Sequence, residues 1–144
     1  MKRMLLALAL TVAAGGVFAA DAPGVPVTKA PSGAELYIIS PKDGAVVGTD
    51  VTVQFGLKGM GVAPAGVKKE GTGHHHLLVD VKDMPAAGQP IPKDEHHLHF
   101  GNGQTETSLK LAPGKHTLQL ELADENHVPF DPPIVSRQVT ITVK

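Results

Sequence analysis

Six of the eight histidines in this 144-residue chain fall in two short runs. The first is Gly73-His74-His75-His76-Leu77-Leu78-Val79-Asp80, and the second is Glu95-His96-His97-Leu98-His99-Phe100-Gly101. Imidazole is a good ligand for zinc, copper(II) and nickel, and a His-X-His step on a strand puts two rings on one face with Cα atoms about 7 Å apart. The chemistry to expect is therefore divalent metal binding through nitrogen. A plainer alternative stands beside it. A neutral imidazole carries one donor and one acceptor, so histidines at strand ends also serve to bond loop carbonyls.

Strand side chains alternate between two faces, so each histidine is sorted by its neighbours. His75 is in phase with Leu77, Val79 and Val81, whereas His74 and His76 are in phase with Leu78 and Asp80. In the second run His96 keeps phase with Leu98 and Phe100, while His97 and His99 point the other way. Two sets result. His74, His76, His97 and His99 form an outward set, the first choice for a metal; His75, His96 and His116 form a core-facing set, the second choice. If the two runs pair as an antiparallel hairpin, one allowed register places His76 near His97 and His74 near His99. His127, in the turn Asp124-Glu125-Asn126-His127-Val128-Pro129-Phe130-Asp131, is a further candidate ligand. The plainer and preferred reading of that turn is a solvated one capped by Asp and Asn.

The elements that must hold these residues are strands. Val51, Val53, Phe55 and Leu57 alternate with Thr52, Gln54, Gly56 and Lys58, and Lys115 to Leu122 alternates almost perfectly. Glu35 to Ile39, Glu106 to Leu111 and Ile134 to Lys144 are strand-like too. Ser40-Pro41-Lys42-Asp43-Gly44 and Pro113-Gly114 are turn signals. The Gly-rich stretch Gly59 to Gly73 and the Pro-rich stretch Asp83 to Asp94 are long loops, of the kind that is mobile or has a function. No amphipathic helical pattern occurs. The expected fold is all-β, an immunoglobulin-like antiparallel β-sandwich of about seven strands.

The beginning of the chain predicts export. Lys2 and Arg3 precede the apolar run Met4 to Val12, and Val17-Phe18-Ala19-Ala20 offers small residues for cleavage. Residues 1–20 read as a signal peptide, 21–34 as a flexible Pro/Gly leader, and 35–144 as a single domain. The apolar run is shorter than the ~20 residues of a bilayer span, so no stable membrane insertion is expected after cleavage, and the location is periplasmic or secreted. Without Lys2 and Arg3 the chain has 11 basic and 14 acidic residues, a formal charge of −3. It has no basic patch to neutralise phosphates, so nucleic acid is not expected as a partner. With no cysteine, thiolate metal sites, thiol catalysis and disulfides are excluded.

The motifs also occur in a recognisable order: Gly71 to Asp80, then Pro90-Ile91-Pro92-Lys93-Asp94, then His97 to Glu106, then Leu111 to Leu120. In these the chain, over about residues 55–144, resembles the DUF4399 family of exported bacterial proteins. The resemblance implies a small exported β domain and fixes no reaction.

Three functions follow as expectations. The first is a histidine-based carrier, buffer or accessory protein for copper(II) or zinc, with the metal ion, and then another periplasmic protein, as partners. The second is a structural or interaction module whose histidines hold loops by hydrogen bonds and respond to acid. The third is a superoxide dismutase-like metal enzyme. No catalytic residues are assigned, because no serine lies in a recognisable nucleophile turn.

Overall fold

A computed structural model describes residues 25–144. The segment read as a signal peptide, with the first residues of the leader, lies outside the described residues. The strands are β1 (Glu35–Ser40), β2 (Val46–Val47), β3 (Asp50–Lys58), β4 (Gly61–Val62), β5 (Thr72–Val79), β6 (His97–Phe100), β7 (Glu106–Lys110), β8 (Gly114–Ala123) and β9 (Val139–Val143). One sheet has the order β1-β3-β7; the other runs β2-β9-β8-β5-β4, with β6 also paired to β5. Leaving out the two-residue strands β2 and β4, seven remain. Their order, 1-3-7 in one sheet and 9-8-5-6 in the other, has the connectivity of an immunoglobulin-like sandwich.

The alternating strands build the core between the sheets. Val51, Val53 and Phe55 of β3 face Leu118, Leu120 and Leu122 of β8, all buried in one apolar cluster. Burying each such side chain is worth about 1.5–3 kcal/mol, and with few aromatics the aliphatics must supply most of the total.

The central strand β5 departs from the alternating pattern, since Gly73 to Val79 are buried without a break. Both of its faces are therefore covered. The inner face meets the other sheet, and the outer face lies under loops. Backbone bonds fix these loops: Ala63 N–H to the Gly73 carbonyl, Ala65 N–H to Gly101, Gly66 N–H to Glu125 and Ile91 N–H to His127. Ala63, Leu78, Ile91, Ala123 and Val128 are buried here, apart from the main core. The long Gly-rich and Pro-rich loops thus roof the outer face of the β5 sheet.

The described part of the stretch read as a flexible leader is tied down from Thr28 onward. The Ala30 N–H reaches the Asp131 carbonyl and the Asp131 N–H reaches Thr28, while the Thr28 hydroxyl donates to Asp124 at 2.7 Å. It braces the same roof.

Candidate metal centre

The outer face of β5 carries His74 and His76, and each is only 1% exposed. On β6, His99 lies directly opposite His76. His127 comes from the roof. The four rings form one cluster, with centroids 4.9 Å apart for His74 and His76, 5.1 Å for His74 and His99, 5.0 Å for His74 and His127, and 4.8 Å for His99 and His127. His76 lies 5.1 Å from His99 and 6.2 Å from His127. The Nε2 atoms of His74 and His76 face each other at 3.1 Å, and one ring nitrogen each from His74, His99 and His127 lie within 4.8 Å of one another. Nitrogens bound tetrahedrally to zinc at about 2.0–2.1 Å stand about 3.3 Å apart, so the first pair is already at that spacing. The nitrogens of His74, His99 and His127, within 4.8 Å of one another, are at most about 1.5 Å wider than that spacing.

The register explains which histidines assemble. The β5–β6 pairing sets His76 against His99 and Leu78 against His97, two residues from the register expected. Asp94 sets the start of β6: its Oδ1 accepts the backbone N–H groups of His96 and His97 and the Nδ1–H of His97 at 2.8 Å. His97 is thereby opposite an apolar residue and held by a carboxylate, so it drops out of the first-choice set. His127 replaces it. Asp124 shapes the turn, its Oδ1 accepting the N–H groups of Asn126 and Val128 while its backbone carbonyl accepts that of His127. His127 has a positive φ of 67°, a conformation that costs a non-glycine residue about 1 kcal/mol or more and recurs at functional sites.

The expectation that His74 and His76 point outward holds for the face, yet they are not at the surface. The roof buries them. The second-choice set does not assemble at all. His75 sits in the main core, 0% exposed, with its ring 5.1 Å from that of Phe55. His96 donates Nδ1–H to the Val79 carbonyl at 2.9 Å and is half exposed. His116 donates Nδ1–H to Asp80 at 2.7 Å and Nε2–H to the Ala112 carbonyl at 2.8 Å, which requires the imidazolium form. These two bonds, that to Asp80 first, raise its pKa. For His96, His97 and His116 the hydrogen-bonding role is the one on view.

The cluster is electrostatically suited to a cation. Burial, then the neighbouring imidazoles His127 and His99, lower the pKa of His74 to about 4. Burial, then His74 and His99, take His76 down to about 2. Burial, His127 and Lys93 lower His99. At neutral pH His74, His76 and His99 therefore keep their lone pairs. Four buried nitrogens have no hydrogen-bond partner among the described residues, His76 Nδ1 and His99 Nε2 in the cluster and both ring nitrogens of His75 in the core, and Glu121 Oε2 is likewise unpartnered.

Glu121 is the residue that sequence reasoning missed. In the alternating stretch of β8 it reads as an outward, solvated carboxylate, but it lies directly opposite His76 and is 1% exposed. Its burial pushes the carboxyl up to about 7. Only the β5–β8 register and the roof reveal this.

Gly101 makes room for the His99 ring. A Cβ there would lie 2.7 Å from His99 Nε2 and 3.2 Å from Ala65 Cβ. Gly101→Ala should displace the His99 ring, and any zinc affinity of the cluster should fall by about 10-fold or more, as misplacing a ligand's support does. Calorimetric titration of the variant beside the parent checks this; unchanged affinity would mean that His99 is not needed where it stands.

Fold and cluster together define a class: an immunoglobulin-like sandwich with a roofed histidine cluster on its outer sheet face. The chain belongs to the family described as Domain of unknown function (DUF4399), whose model matches residues 53–144. No curated protein matches it in sequence. Among solved structures it is similar to the fibronectin(III)-like modules of Clostridium thermocellum CbhA, at 12% identity and a TM-score of 0.35 over 75% of this chain and 92% of that one.

Proposed function

We propose that this domain binds one divalent metal ion, zinc or copper(II), through His74, His76, His99 and His127, and acts as an exported metal carrier, buffer or accessory protein. The observation that carries this reading is the convergence of four imidazoles from three separate elements into one cluster, His74 and His76 buried and His99 and His127 half-buried, with unpartnered nitrogens among the described residues. An orphaned buried polar group costs about 1–3 kcal/mol, and a bound cation would remove that cost at His99 Nε2 by using its lone pair. Uncharged nitrogens and no thiolate suit zinc or copper(II) rather than copper(I). The leading residues 1–20 support export by their composition alone.

The test is calorimetric titration of zinc into the chain purified without an affinity tag. The parent should bind one equivalent with submicromolar affinity. His99→Ala and His127→Ala should each lose about 100-fold or more, as removal of a ligand does, while His97→Ala stays within about threefold. A parent that binds no zinc or copper(II) contradicts the proposal, and so does a His97→Ala loss as large as that of His127→Ala.

A further inference from the structure

Two orphaned buried groups lie on directly opposed residues. His76 turns Nε2 toward His74, which leaves its other nitrogen, Nδ1, on the far side of the ring with no partner. Across the sheet, Glu121 pairs with His76 in the β5–β8 ladder, and its Oε2 also has no partner among the described residues. Opposed residues on an antiparallel pair share a face, with Cβ atoms about 4.5–5.5 Å apart, so the two buried side chains lie side by side under the roof. A carboxylate in such a place needs a reason, because an ionised group without a hydrogen-bonded partner is among the most costly things a fold can bury.

We infer that Glu121 is the positioning carboxylate of the metal centre: its Oε2 accepts the Nδ1–H of His76 when His76 Nε2 takes the ion. The inference rests on the metal-binding reading above. An imidazole that ligates through Nε2 must carry its proton on Nδ1, and metal-bound histidines commonly give that proton to a carboxylate, which fixes the tautomer and makes the ligating nitrogen more basic. Glu121 does the same for charge. The four imidazoles are neutral ligands, so a dication among them brings uncompensated positive charge into a largely buried space. Glu121, with Asp124 below the His127 turn, places two buried carboxylates beside it. The directly opposed register places the two side chains within reach of each other without any change to the backbone ladder. The site therefore favours a divalent ion over a monovalent one of the same size.

Glu121→Gln is the test, since it keeps the shape and removes the charge. Zinc affinity should fall by about 10–100-fold, the usual effect of losing such a partner. The Nδ1–H proton resonance of His76 in the zinc-loaded, 15N-labelled protein should move upfield. The thermal midpoint of the metal-free protein should hold or rise. Glu121→Asp, which keeps the charge, should recover part of the affinity. Zinc binding within threefold of the parent in Glu121→Gln, or a His76 resonance that does not move, overturns the inference and leaves the metal-binding reading standing. A Glu121→Gln protein whose metal-free midpoint drops while its affinity holds assigns Glu121 a purely structural role, and also overturns it. A parent that binds no metal overturns both.

Discussion

Acidifying the metal-free protein from about pH 7.5 to about pH 5 should destabilise it by about 3 kcal/mol net, measured by urea unfolding at each pH. The sign follows from which state holds more protons. His74 and His75 have folded pKa values near 4 and His76 near 2, all below the ordinary 6.5 because burial disfavours the imidazolium. Between pH 6.5 and 4 the unfolded chain takes up protons that the folded chain refuses, so stability falls as pH falls. At pH 5 each of the three costs about 2 kcal/mol. Glu121 works in the opposite direction. Its folded pKa of about 7 lies above the ordinary 4.5, so the folded state holds the extra proton between those values and gains about 2–3 kcal/mol over the same acidification. His116, whose pKa is raised, also favours the acid side. Roughly half of the histidine cost survives.

One substitution separates the core from the cluster. His75 touches Phe55 in the main core, and the nearby Gln104 backbone offsets only part of its burial, with neither nitrogen well bonded. His75→Leu should remove about 2 kcal/mol of the acid sensitivity without altering metal affinity. A variant as acid-labile as the parent would show that His75 stays neutral for no cost, or is not buried in solution.

The second large effect is stabilisation by metal. A ligand that binds only the folded state adds RT ln(1 + [L]/Kd), about 2.7 kcal/mol at a hundredfold excess over Kd. For a domain of this size that should raise the melting temperature by roughly 10 °C. Zinc is the better probe. The consecutive run His74-His75-His76 lets the unfolded chain chelate copper(II) locally, and binding to the unfolded state subtracts from the shift. His127→Ala should abolish the zinc shift while leaving the metal-free midpoint nearly unchanged, because the ring it removes is partly exposed and the positive-φ backbone is equally strained in both proteins. If zinc raises the parent and His127→Ala equally, the ion sits elsewhere.

The sandwich was legible in the sequence because its evidence is local. Val51 to Leu57 and Lys115 to Leu122 alternate with a period of two, and a period names the element and its inner face. The face of each histidine in the first run followed the same way: His75 went in, and His74 and His76 went to the other side. Partners did not follow. Sliding one strand by two residues keeps every side chain on its face, so phase alone could not choose between His97 and His99 as the neighbour of His76. Asp94 made that choice, by capping the start of β6. His127 and Glu121 depended on still longer-range facts, the return of the 124–131 turn over the sheet and the β5–β8 register. An alternating Glu next to leucines looks solvated in any sequence. Here a roof of Gly-rich and Pro-rich loops buries it.

The central claim is that one ion lies among His74, His76, His99 and His127, and X-ray absorption at the zinc edge of the stoichiometrically loaded protein addresses it directly. The predicted spectrum is a single shell of four imidazole nitrogens at about 2.0–2.1 Å, with the outer-shell scattering of four rings. A first shell dominated by oxygen with two imidazoles or fewer would place the zinc at an exposed site and contradict the account.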